Sequence, residues 1–245
     1  MPQSKKDIIS QLQKDILRLQ GFKTPPIGTT EVVGLGPVEA AFPNGVFPTG
    51  AIHEFLSETP ENTAACGGFI AGLLTTLMQD GGTCLWVGVS RKLFPPALKA
   101  FGVEPDRIIF VDLHQEKDVL WVMEEALKCT GLAAVIAEVR EISLTASRRL
   151  QLAVEQSKVT GFILRNNPLK LSTTACIARW KITPLPSELE NNMPGVGFPC
   201  WNVELLKVRN GNPGSWKMEW SGGRFNCIYD AVTEGDLQKQ ILKAG

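Results

Sequence analysis

Apolar side chains recur at Ile9, Leu12, Ile16 and Leu19, at steps of three and four, on a segment otherwise made of Lys, Asp, Gln and Arg. That spacing predicts a helix with one narrow apolar stripe, ended at Gly21. Residues 23–49 are rich in Pro and Gly, show no steady period and read as a linker. The chain thus divides into an N-terminal helix (1–22), a linker (23–49), an α/β domain (50–220) and a polar C-terminal tail (221–245). The stripe needs a surface, which is either its own domain or a groove on a neighbouring protomer or partner, so homo-oligomerisation is an open expectation.

From Gly50 the pattern alternates between short apolar runs and amphipathic stretches. Strands are predicted over residues 51–56 (AIHEFL), 83–89 (TCLWVGV), 107–113 (RIIFVDL), 132–139 (LAAVIAEV) and 160–165 (TGFILR). Helices are predicted over 64–78, 95–101, 116–128 and 143–157. Strands apolar on both faces and separated by helices imply a mostly parallel sheet with helices covering it. After Asn166 the texture changes: four of the six tryptophans lie between Trp180 and Trp220. Trp201-Val203-Leu205 and Trp216-Met218-Trp220 alternate as two half-buried strands around a turn at Asn210 to Gly214, which makes a C-terminal antiparallel β-hairpin. Residues 184–199 read as a long loop or lid, and a weak capped helix starts near Thr233.

Composition narrows the function. Lys plus Arg is 25 and Asp plus Glu is 25, which excludes a wholesale basic field and leaves only a local patch or a partner for any nucleic-acid contact. The six cysteines contain no C-x-x-C and are accompanied by two histidines, so they read as buried hydrophobes in a reducing compartment, and no metal site is expected. The basic start continues into polar residues where a signal peptide needs an apolar run. The longest uncharged stretch, 62–79, carries Gly67, Gly68 and Gly72 and suits a buried helix better than a membrane span. A cytoplasmic protein with no membrane contact is expected.

The turn after the first strand, where a nucleotide-binding α/β protein places its phosphate loop, is Ser57, Glu58, Thr59, Pro60, Glu61, Asn62, Thr63 and Ala64. A Walker A loop needs GxxxxGK(S/T) so that bare backbone wraps the phosphates and Lys neutralises them. Here there is neither Gly nor Lys, and Glu58 and Glu61 repel a triphosphate, so a degenerate loop, no cofactor and no catalytic residue are expected. A divergent NTPase using Arg91 or Lys92 is the rival reading. Glu138 ends the fourth strand where a Walker B carboxylate would stand, a weak signal by itself. His53 and Glu54 are neighbours on one strand and point to opposite faces, and His114 reads as a surface residue. Arg140, Arg148, Arg149, Arg165 and Lys170, with Lys158, form a modest cationic group near the ends of the fourth and fifth strands. Weak, sequence-blind phosphate contact there is one reading and a solvated helix face the other.

The succession GAIHEFL, LWVGVSRKLFPPALKAFGVEPDRIIFVD, LWVMEEALK, LAAVIAEV, LTASRRLQLAVEQSKVTGFILR, RWKI and CWNVELLKVRNGNPGSWKMEW resembles the bacterial ImuA family, the RecA-like proteins of the damage-inducible mutagenesis cassette. The resemblance runs from about Gly50 to Trp220. LTASRRLQLA and PGSW-x-x-EW are its most specific parts, and the LRLQG ending of the first helix is similar to the family's opening helix. It implies a RecA-like core and an accessory role in error-prone translesion synthesis. The implied partners are a catalytically inactive polymerase-like protein (ImuB), a replicative-type polymerase and RecA. It does not imply ATP hydrolysis, and the segments that would hold DNA in a RecA filament, 139–145 and 166–173, are short here. Some relatives carry a cell-division-inhibitor label.

Overall fold

The fold is that of a computed structural model, which describes residues 12, 15, 33–79, 81–90, 92–187 and 197–229. Among them nine strands form one sheet: β1 (Ile52–Ser57), β2 (Thr83–Gly88), β3 (Ile108–Asp112), β4 (Leu132–Val139), β5 (Thr160–Asn166), β6 (Ala178–Leu185), β7 (Cys200–Val208), β8 (Gly214–Ser221) and β9 (Arg224–Ile228). The order is β3-β2-β4-β5-β1-β6-β7-β8-β9. The first six run parallel and β7 to β9 continue antiparallel. This is the predicted mostly parallel α/β sheet with its antiparallel extension, and the near-continuous apolar strands are explained by burial on both faces.

One face carries α1 (Pro60–Leu77); the other carries α2 (Glu116–Leu127) and α3 (Leu144–Ser157). The glycines of α1 serve packing: a Cβ on Gly68 would lie 2.9 Å from the Phe101 ring and one on Gly72 2.5 Å from Phe225. Bare backbone there lets aromatic rings from the 3-10 helix Pro95–Phe101 and from β9 sit directly on the helix. His53 belongs to the same aromatic core. Its ring stacks on Phe47 with centroids 4.4 Å apart, donates from Nε2 to the Pro48 carbonyl at 2.8 Å and accepts at Nδ1 from the Trp180 indole. Burial pushes its pKa down to about 4, against a smaller opposing pull from the Pro48 carbonyl.

Three segments depart from the sequence reading. Residues 33–49 are not a linker: Val33, Leu35, Val38, Ala41, Phe42 and Phe47 are buried, Glu39 accepts from the Val33 and Leu35 N–H groups, and Thr76 ties the Val33 carbonyl to α1. The segment covers the core with 3-10 turns and extended pieces, which have no hydrophobic period to detect. Pro184 and Leu185 belong to β6 rather than to a lid, and residues 188–196 lie outside the described residues. The tail begins with β9, whose one large buried side chain, Phe225, packs 4.9 Å from the rings of both Phe69 and Trp220; an edge strand needs no second apolar position to be held. Of the N-terminal stripe, Leu12 is helical and exposed, whereas Ile9, Ile16 and Leu19 lie outside the described residues, as does the helix expected near Thr233.

Two outcomes follow for stability. Phe225→Ala costs about 3 kcal/mol in denaturant unfolding, where a loss near zero would return residues 221–229 to the status of a tail. Because His53 is neutral in the fold and takes up a proton near pH 6.5 once unfolded, stability falls as pH drops from about 6.5 to 4, by on the order of 3 kcal/mol from this group. Denaturant midpoints of His53→Gln across that window lose this slope; an identical slope in wild type and variant would refute it.

Candidate functional site

Two features meet at the end of the sheet where the parallel strands finish, and a third lies on the opposite face of β1. The first is the β1–α1 turn. Thr59 is the N-cap of α1, its Oγ1 accepting from the Asn62 N–H at 3.3 Å, with Pro60 at the first helical position. Such a cap takes a donor that a phosphate loop leaves open. Ser57 and Thr63 join their hydroxyls at 2.6 Å, and Thr63 donates to the Asn166 side chain at 3.2 Å. Glu58 and Glu61 are exposed at this helix terminus, and Glu58 pairs with Lys181 at 3.0 Å. Ser57, Glu58, Asn62, Thr63 and Ala64 are therefore close together as the sequence placed them, in a turn closed by its own hydrogen bonds and edged with carboxylates.

The second feature is a half-open cavity of 790 Å³ beside that turn. Its walls are mainly apolar, with Trp86, Leu93, Phe94, Phe101 and Trp201 prominent, and Glu61, Lys92 and Glu138 supply the charged groups. Glu138 is buried, accepting from the Trp86 indole at 2.7 Å and from Asn166 at 3.2 Å. Desolvation raises its pKa, while those two hydrogen bonds and the charge of Lys92 work in the other direction. The Glu138 carboxylate, which the sequence placed where a Walker B acid would stand, is thus engaged by an indole. The sequence placed Trp86 in an apolar strand and Trp201 in a half-buried alternating one, and nothing in it marked the cavity they share. Arg91, half of the rival NTPase reading, lies outside the described residues.

The third feature is a buried ionic cluster on the opposite face of β1. Glu54, fully buried, pairs with Arg165 at 2.9 Å and with Arg179 at 2.8 Å, and accepts from Thr174 at 2.7 Å. Arg165 also pairs with Glu141 at 2.7 Å and donates to the Lys170 carbonyl, while Arg179 donates to the Ser172 carbonyl. These bonds organise the connection from β5 to β6, residues 167–177, which returns across β1 as irregular backbone instead of a helix. Irregular backbone has no ladder to satisfy its carbonyls, and the arginines reach those of Lys170 and Ser172. Glu141 in turn accepts from the Leu169 and Lys170 N–H groups; although desolvation pulls the other way, these bonds and Arg165 hold its carboxyl below the usual range.

The cationic group read from sequence is consequently dispersed. Arg165 is corrected: it has no exposure and both ends of its guanidinium are committed to carboxylates, so it is no phosphate contact. Arg149 pairs with Glu124 at 2.6 Å. Lys158 caps the far end of α3, against Gly50 at the start of β1. Arg140, Arg148 and Lys170 are exposed, as are Arg149, paired with Glu124, and Lys158 at the other end of the helix. His53 and Glu54 do face opposite sides, as alternation requires. Among the described residues no group of His, Cys, Asp and Glu is arranged to hold a metal ion, and no helix is long and apolar enough to cross a membrane.

Glu54→Leu strands the Arg179 guanidinium in the interior and costs about 3–5 kcal/mol of unfolding free energy, with faster amide exchange over residues 167–175 than over β1 and β5. A loss under about 1 kcal/mol would mean that water already reaches the cluster.

No family model matches the chain. Curated relatives do: Protein ImuA of Caulobacter vibrioides, from two strains, is in each case 35% identical over 213 residues, which cover 81% of this chain and 86% of the relative. An identity of that size over most of both sequences shows that the chain belongs to the ImuA family.

Proposed function

We propose that the protein is a non-catalytic, RecA-like accessory factor of DNA-damage-induced, error-prone translesion synthesis, a scaffold for a polymerase-like partner of the ImuB type, with RecA as a further partner. Family membership supports the place in the mutagenesis cassette. The observation that carries the scaffold reading is the β1–α1 turn: a side-chain cap, two exposed carboxylates and no glycine or lysine stand where a phosphate loop needs free N–H groups and positive charge. The space in front of that turn is walled mainly by apolar side chains, indole and phenyl rings among them, with Lys92 as its cation. A phosphoryl-transfer site depends on electrostatic groups aimed at the phosphates, and losing one such contact typically costs a hundredfold or more in rate.

DNA contact is weak or indirect on this reading. Three exposed cations, Arg140, Arg148 and Lys170, stand near the strand ends, and so few phosphate contacts give low affinity at physiological salt. A second reading as a divergent NTPase has Lys92 on the cavity wall in its favour.

Titration with ATP and magnesium decides between them. The scaffold reading expects no saturable binding at micromolar nucleotide and no rise in the unfolding midpoint with ATP. Saturable binding that is lost in Lys92→Ala would establish the NTPase reading instead.

A further inference from the structure

The connection between β5 and β6 is held from beneath and presents aliphatic side chains above. Leu169 and Leu171 are 71% and 63% exposed, although the backbone beneath them is fastened by Arg165, Arg179 and Glu141. On α3, Leu144, Arg148 and Leu152 follow at steps of four and therefore share one face, while Ser147, Leu150, Gln151 and Val154 turn inward. That outer face is mixed: Leu152 is 60% exposed, and Thr145, Glu155 and Gln156 are exposed around it. The two elements lie side by side: Ser172 donates to the Ile142 carbonyl at 3.1 Å and the Ala175 N–H to Ser147 at 2.9 Å.

We propose that Leu169 and Leu171, together with Leu144 and Leu152, form the docking surface for the polymerase-like partner, and that the partner contributes an aliphatic segment interleaved with Asp or Glu. The inference rests on the accessory reading and adds the surface and the chemistry that meets it. Exposed leucines gathered on one side of a domain mark an interaction site, and a connection already ordered by buried ion pairs loses little further entropy on binding.

Charge selects the partner. Arg140, Arg148 and Lys170 stand exposed among the leucines. Of the nearby acids, Glu141 is paired with Arg165, and Glu116 is turned onto the Arg140 and Glu141 N–H groups; Glu155, beside Leu152, is an exposed acid, so the cationic character centres on Arg140, Arg148 and Lys170. A cationic rim around an aliphatic centre complements an acidic, aliphatic segment and speeds its encounter. The same surface suits single-stranded nucleic acid poorly, since none of these residues is aromatic and base stacking has no platform.

The test uses the full chain with Leu169→Ser and Leu171→Ser combined, Leu152→Ser separately, and Arg148→Glu with Lys170→Glu. Each is titrated against recombinant ImuB-type protein, in parallel with a single-stranded oligonucleotide. Because the substituted side chains are exposed, the unfolding midpoint stays within about 2 °C of wild type. Partner affinity falls on the order of tenfold in the double-serine variant, and the charge-reversal pair weakens it most at low salt. Wild-type binding with an unaltered double-serine variant overturns the surface and leaves the accessory reading standing, whereas failure of wild type to bind the partner overturns both. Loss of oligonucleotide affinity or of self-association with partner affinity intact makes the surface one for nucleic acid or for a second copy, and overturns the proposal.

Discussion

A single carboxylate in the middle of β1 sets much of this structure. Glu54 is completely buried, and its two oxygens are divided between Arg165 on β5 and Arg179 on β6, the strands on either side. Parallel neighbours ordinarily need a helical crossover, whose backbone satisfies itself. Here the β5–β6 connection is irregular and lies over β1, so its carbonyls depend on side chains for hydrogen bonds. Two guanidinium groups meet that demand at Lys170 and Ser172, and Glu54 is what keeps two cations in the interior. The charge on β1, the arginines on its neighbours and the missing helix are three aspects of one constraint.

The other face of the same strand shows how an ancestral-looking layout can be filled differently. A helix following β1 and carrying several glycines suggests a phosphate cradle, yet Gly68 and Gly72 lie well inside α1 and receive the rings of Phe101 and Phe225. Glycine lets backbone approach a ligand or an aromatic ring with equal ease. What separates the two uses is the turn itself, and this one ends in a threonine cap with carboxylates alongside. Trp86 then takes up the carboxylate of Glu138 from inside the domain, so the polar groups that remain at the strand ends are largely engaged with one another.

Much of the fold was legible because its strands carry their burial in their composition. β4, Leu132–Val139, matches the predicted run residue for residue, and the Trp201-Val203-Leu205 alternation gave the hairpin. Segments whose burial has no period were not legible: residues 33–49 enter the core through turns, and β9 has Phe225 as its one buried side chain. The site was less visible than the fold. Arg165 read as a phosphate contact because a charge at a strand end is normally exposed, while Glu54 and Arg179, also in apolar strands, carried the missing information. Opposite charges placed singly within strands buried on both faces are a sign that they meet inside.

That sign also recasts the zero net charge. With equal numbers of acids and bases, what matters is where the cations are committed. Arg165 and Arg179 are consumed by the interior, Arg149 by Glu124 and Lys181 by Glu58. Among those that stay exposed, Lys170 belongs to the connection that carries Leu169 and Leu171, whose backbone is fixed from below. A phosphate track needs many cations and tolerates a mobile support, because its contacts are long-ranged and interchangeable. Aliphatic recognition needs the reverse, since burying a leucine gains only what shape complementarity allows and is lost if the support must first be ordered. The buried ion pairs of Glu54 give rigidity to the backbone beneath Leu169 and Leu171, and the proposed docking surface depends on that support.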